Sequence, residues 1–125
     1  MSWSSLYFTS DEMRCSHSGL EKMDEKFMDM LTELRVAYAN PLRVTSAYRD
    51  ITHPIEARKA KGGAHTTGKA VDLGVQGQEA LKILDIALGI GFTGIGIQQK
   101  GSGRFIHLDI CDESDGMNRP TIWSY

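Results

Sequence analysis

The sequence predicts an α+β domain, a small and mainly antiparallel sheet flanked by helices. Three observations carry that expectation. Two long segments repeat apolar residues every three or four positions, the period of a helix with one buried stripe. Several shorter runs are rich in β-branched residues and bounded by glycines, the pattern of strands. The last two runs are joined by Lys100-Gly101-Ser102-Gly103, a turn that makes them a hairpin rather than a parallel crossover pair.

In chain order, Thr9 and Ser10 precede Asp11 and Glu12, the composition of a short helix start or turn. Residues 19–38 place Leu20, Met23, Phe27, Met30, Leu31, Leu34 and Tyr38 on one helical stripe, and Asn40-Pro41 stops it. Residues 42–49 read as a strand. Pro54 then starts a short helix through residue 60, which Gly62-Gly63 ends. Residues 69–75 form the next strand, and residues 77–88 a second amphipathic helix that Gly89 and Gly91 close. Strands over 93–98 and 104–110 make the closing hairpin. Alternation puts Phe105, His107 and Asp109 on one of its faces and Ile106, Leu108 and Ile110 on the other.

A chain of 125 residues with 41% hydrophobic content is expected to form one domain, 1–125, able to bury a core without disulfides or a structural metal. A metal would therefore serve chemistry. The formal charge of −2 with scattered basic residues argues against a nucleic-acid partner. No segment approaches the roughly 18 apolar residues of a membrane span. The first residues lack the basic-then-apolar pattern of a signal peptide, so synthesis in the cytoplasm is expected. Cys15 and Cys111, outside any paired-cysteine spacing, are expected as free thiols.

The chemistry concentrates in Gly63-Ala64-His65-Thr66-Thr67-Gly68-Lys69-Ala70-Val71-Asp72 and in Phe105-Ile106-His107-Leu108-Asp109. Two imidazoles and a carboxylate are the ligand types of a zinc ion that keeps a fourth position open for water. Adjacent strands can bring Asp72 and His107 to one point, with His65 supplied by the glycine-rich loop before the first of them. Taken singly, His65 is equally a turn histidine, Asp72 a cap and His107 a core histidine.

These motifs, together with Ser46-Ala47-Tyr48-Arg49 and Arg119-Pro120-Thr121-Ile122-Trp123, resemble the D-alanyl-D-alanine carboxypeptidase family of zinc peptidases, which is itself similar to hedgehog domains and phage endolysins. The resemblance runs from about Phe8 onward. It implies that fold, Zn2+ held by His65, Asp72 and His107, and hydrolysis of peptide bonds in peptidoglycan. The bond would be a D-Ala-containing one, cut by a D,D-carboxypeptidase or endopeptidase, or an L-Ala-D-Glu bond. It further implies that Arg49 contacts a substrate carboxylate or carbonyl, a task suited to a planar guanidinium, with Ser46 and Tyr48 beside it. The alternative for Arg49 is a surface ion pair with Asp50, Asp72 or Glu56.

In better-known branches of that family a carboxylate three residues before the last zinc histidine serves as general base. Here that position is Arg104. The nearest carboxylate is Asp109, about 6–7 Å along the strand from His107, as base, as an acceptor that orients an imidazole N–H, or as a member of a structural ion pair. His53 and His17 are further candidates for proton transfer or substrate contact. His17 with Cys15 offers too few ligands for a second metal. Trp3, Trp123 and Tyr125 are expected at the rim of the groove or the edge of the core.

The reading is thus a monomeric zinc peptidase acting on peptidoglycan stem peptides, of phage or prophage endolysin type, made in the cytoplasm and acting on the wall once released. The alternatives are a catalytically silent, zinc-containing wall-binding module and a virion structural component.

Overall fold

The structure, a computed structural model, describes residues 5–59 and 62–125. Trp3 and Ala60, the end of the expected short helix, lie outside the described residues.

Thr9 opens helix α1 (Ser10–Met13) with a reciprocal capping box: its hydroxyl accepts from the Glu12 N–H, and the Glu12 carboxylate accepts from the Thr9 N–H. Helix α2 (Glu25–Tyr38) starts later than the apolar period suggests, because Asp24 is its cap and accepts from the Phe27 N–H at 2.9 Å. The preceding N–H groups are already engaged. Met23 donates to Glu21 at 2.7 Å, and Asp24 donates to the Gly68 carbonyl at 2.8 Å. Leu20 is consequently exposed while Met23 is buried from an extended segment. Ala39, at φ 63°, ends α2 in the left-handed region.

Strand β1 (Val44–Ser46) is shorter than the expected 42–49. Beyond it the backbone serves other partners, Tyr48 N–H donating to Met13 O and Arg49 N–H to His65 O. Helix α3 (Pro54–Ala57) follows, with His53 Nδ1 accepting from the Ile55 N–H. A 3-10 turn (Ala64–Thr67) leads to β2 (Ala70–Gly74). Helix α4 (Gly77–Ile90) runs through Gly89 and stops at Gly91, whose φ of 108° an L side chain rarely adopts. Strands β3 (Gly94–Gln98) and β4 (Phe105–Asp109) form the expected antiparallel hairpin. The chain ends in β5 (Thr121–Ser124), a strand not foreseen from sequence, which pairs parallel with β3.

Among the described residues these strands make one sheet in the order β1-β2-β4-β3-β5, antiparallel except at β3–β5. The expected α+β class with a mainly antiparallel sheet is therefore what the chain forms. One face is apolar: Val71, Leu73, Ile95, Ile106 and Leu108 meet Phe27, Leu31 and Leu34 of α2 and Ile83 and Ala87 of α4 in a single buried cluster. Each of the fully buried large side chains contributes roughly 1.5–3 kcal/mol. Alternation then turns Asp72, His107 and Asp109 to the opposite face, where no long helix covers them. Cys15 and Cys111 are both buried and unpaired.

Candidate metal centre

Register brings the site together. Asp72 on β2 and His107 on β4 are direct partners across the sheet, and His107 Nδ1 lies 3.0 Å from Asp72 Oδ1. His65 joins them from the 3-10 turn, with Nε2 3.2 Å from the same Oδ1. The turn closes at Gly68, which has a φ of +74° and packs so tightly on the Lys22 carbonyl that a Cβ would collide with it. All three side chains are buried, and the two rings meet edge to face at 5.1 Å.

The outer nitrogens fix the tautomers. His65 Nδ1–H donates to the Ala47 carbonyl at 2.7 Å, so Nε2 is the nitrogen aimed at Asp72. His107 Nε2–H donates to Asp109 at 2.7 Å, so Nδ1 faces Asp72. Burial disfavours charge on Asp72, but the His107 and His65 rings beside it outweigh that and hold the carboxyl far below the usual range. Burial likewise opposes charge on His107, and Asp109 and Asp72 reverse that, raising the imidazole above its ordinary value.

The donor set fits zinc. The three ligand atoms lie within 4.8 Å of one another. Metal–ligand bonds of about 2.0–2.2 Å place tetrahedral ligands about 3.4 Å apart, close to the separations at Asp72. Among the described residues this is the one such group; Cys15, His17 and His53 do not form a second.

The three residues border a cleft of about 590 Å³. Arg49 and Lys59 bring positive charge to it, and Phe105, Trp123 and Tyr125 supply aromatic surface. Trp123 packs 5.1 Å from the His107 ring, and Tyr125 5.1 Å from Phe105. Arg49 is paired with Glu56 at 3.2 Å and lies 3.9 Å from Asp72 Oδ2. It thus combines two of the ion pairs considered from sequence with a place on the cleft wall. Ser46 and Tyr48 do not reach this cleft. They line an adjoining groove with Cys15, His17 and His53, which meets the cleft at Arg49. In that groove the His17 and His53 rings lie 6.0 Å apart.

Asp109 has no exposed surface, and its two oxygens accept from His107 Nε2, the Cys111 N–H and both Nε and Nη2 of Arg119. Burial opposes its charge, yet the bonds from His107 and Arg119 hold the carboxyl far below the usual range. Arg104 stands away from the cleft, in the groove beside Ala80 and Leu84 of α4, where Nε donates to the Gly101 carbonyl.

Two residues at the site went unassigned from sequence. Glu56, considered only as a partner of Arg49, is a fully buried carboxylate that also accepts from the Gly63 N–H at 2.8 Å and from Lys59 at 3.2 Å. Arg119 belonged to a quoted motif, but nothing local marks Asp109 as its partner.

A family model described as Peptidase M15 matches residues 6–109, a span that includes His65, Asp72, His107 and Asp109 and ends before Arg119. No curated protein matches the chain.

Proposed function

The chain belongs to the Peptidase M15 family, and from that premise we propose that it is a zinc peptidase that hydrolyses peptide bonds in the stem peptides of bacterial peptidoglycan. The observation that carries the reading is the convergence of His65 Nε2, Asp72 Oδ1 and His107 Nδ1, each imidazole already anchored through its other nitrogen. Those three atoms would hold the ion. Zinc in such a site supplies Lewis acidity toward a peptide carbonyl and toward water.

The remaining roles belong to the chain. Arg49 binds a carbonyl or carboxylate of the peptide, since its guanidinium borders the cleft and is held from behind by Glu56. Phe105, Trp123 and Tyr125 offer the apolar wall for alanine methyl groups. The adjoining groove, where Ser46 and Tyr48 lie, takes further residues of the stem peptide. Of the roles open to Asp109, we assign the orienting one: its lone pairs are occupied, by His107 among others, and it meets no solvent. We further propose an endolysin role, in which the protein is made in the cytoplasm and reaches the wall after a separate pore-forming protein releases it.

One observation favours a second reading. Asp72 is the one acid among the described residues lining the cleft, and as a ligand it is not free to take a proton from water. A catalytically silent, zinc-containing wall-binding module would have that composition. Digestion of purified peptidoglycan with zinc-loaded and chelator-treated protein, read by mass spectrometry of released muropeptides, separates the two. Fragments that require metal establish the peptidase and name the bond. Intact peptidoglycan from several wall types, with zinc bound, establishes the silent module.

A further inference from the structure

We propose that Arg119, just before β5, is a positioning residue of the metal centre: acting through the Asp109 carboxylate, it fixes the His107 ring so that Nδ1 faces the ion. The inference rests on the metal-binding reading above.

Arg119 grips Asp109 as a fork, Nε donating to Oδ1 at 2.9 Å and Nη2 to Oδ2 at 2.7 Å. The terminal torsion of an aspartate is broad, so a carboxylate held only by His107 and the Cys111 N–H would retain rotational freedom. The planar fork removes it, and Oδ2 then stands 2.7 Å from His107 Nε2. The guanidinium side chain is 10% exposed and the carboxylate not at all, so the pair is shielded from competing water.

The sheet is shaped around this pair. Asp72, His107, Gly96 and Trp123 occupy one row across β2, β4, β3 and β5, and Asp109 stands opposite Gly94. A Cβ on Gly94 would collide with both Asp109 oxygens and with Arg119 Nε, and a Cβ on Gly96 would meet the Trp123 ring at 2.7 Å. The chain therefore carries no side chain at the two places, Gly94 and Gly96, where Arg119 and Trp123 reach across β3 to β4. The Trp123 ring fills one gap, lying 5.1 Å from His107 and 5.0 Å from the Arg119 guanidinium, so fork and indole brace the same imidazole. An ion pair that served only to fasten β5 would need neither the shared oxygen with His107 nor the empty row.

The test is metal binding, read apart from turnover. Zinc affinity is measured by competition with a chromophoric chelator, and the Co2+ protein by its visible absorption, for the wild type, Arg119→Gln, Arg119→Lys, Asp109→Asn and the double variant Asp109→Asn/Arg119→Gln. We expect Arg119→Gln to weaken zinc by about 10- to 100-fold and to alter the Co2+ bands, as for other groups that support a metal-bound imidazole. Arg119→Lys, which restores charge but not the fork, recovers only part of the loss. In the Asp109→Asn background the Arg119 change costs nothing more, because its route to His107 is already cut. Gly94→Ala, with every charge in place and its melting temperature checked, gives the same loss by displacing the pair. Wild-type affinity and bands in Arg119→Gln, or losses that add fully in the double variant, overturn the inference. Failure of the wild type to take up metal overturns the functional reading instead.

Discussion

The Arg49 guanidinium, one-fifth exposed, rests on a Glu56 carboxylate with no exposure, Nη1 to Oε2 at 3.2 Å. The arginine that faces the cleft is thus held by an acid that never meets solvent, and that acid also holds the Gly63 N–H, two residues before His65. Glu56 links the substrate-facing cation to the loop that carries a ligand.

That link has a pH signature. Burial opposes charge on Glu56, but the Gly63 N–H, Lys59 and Arg49 outweigh it and lower the carboxyl below its ordinary 4.5. A carboxylate depressed in the folded state contributes stability above its unfolded value and loses it as pH falls through the folded value. Glu56→Gln should therefore cost about 1–3 kcal/mol at pH 7, and the gap to wild type should shrink below about pH 4.5. Urea unfolding at pH 7 and at pH 4 measures it; an equal gap at both values would reject the ionised role.

Zinc should raise the melting temperature of the wild type. Binding to the folded state alone adds about 2.7 kcal/mol at a ligand concentration one hundred times Kd, several degrees for a chain of this size. His65→Ala, Asp72→Ala and His107→Ala should each abolish the zinc-dependent rise, and a chelator should erase it in the wild type. A full zinc response in any of the three variants removes that residue from the ligand set.

Arg49→Lys is not a conservative change at this site. Lysine keeps the charge but cannot span Glu56 and a substrate oxygen with one planar group. We expect kcat/KM on muropeptides to fall about 10- to 100-fold, corresponding to a loss of about 1.4–2.8 kcal/mol, with zinc affinity unchanged. Steady-state kinetics alongside a metal assay checks both, and unaltered kinetics would leave Arg49 a structural ion pair.

The two thiols should differ in reactivity. Burial pushes the Cys111 thiol up to about 11. At Cys15 burial acts in the same direction but is outweighed by hydrogen bonds from Asp50, Ser18 and His17, so its thiol is lowered, and it borders the groove beside Ser46. Iodoacetamide at pH 8 should modify Cys15 well before Cys111, as followed by peptide mapping. Equal rates would mean that local opening, rather than thiolate character, governs both.

What could be read from the chain was what depends on neighbours in sequence. The alternation in β4 and the period of α4 are local, and once β2 and β4 pair, Asp72 and His107 fall opposite each other. The start of α2 differs from its apolar period because Leu20 and Met23 fit that period, whereas the Asp24 cap and the Gly68 contact decide where the helix begins. Strand β5 escaped because its four residues alternate between half-buried and exposed, and its partner β3 lies far back in the chain. Glu56 and Arg119 were opaque for a related reason. A charged side chain looks solvated until the fold encloses its partners, and only the folded loops turn Gly63 back onto one and Asp109 onto the other.

The position of the cleft on the sheet limits how this scaffold can grow. Its two outermost strands are both committed: Ser46 of β1 borders the groove that joins the cleft at Arg49, and Trp123 of β5 forms part of the opposite wall. A strand added at either margin would intrude on one of those walls. Enlargement or altered selectivity is therefore open mainly to the connecting segment around residues 112–118, where length can change without shifting the Asp72–His107 register.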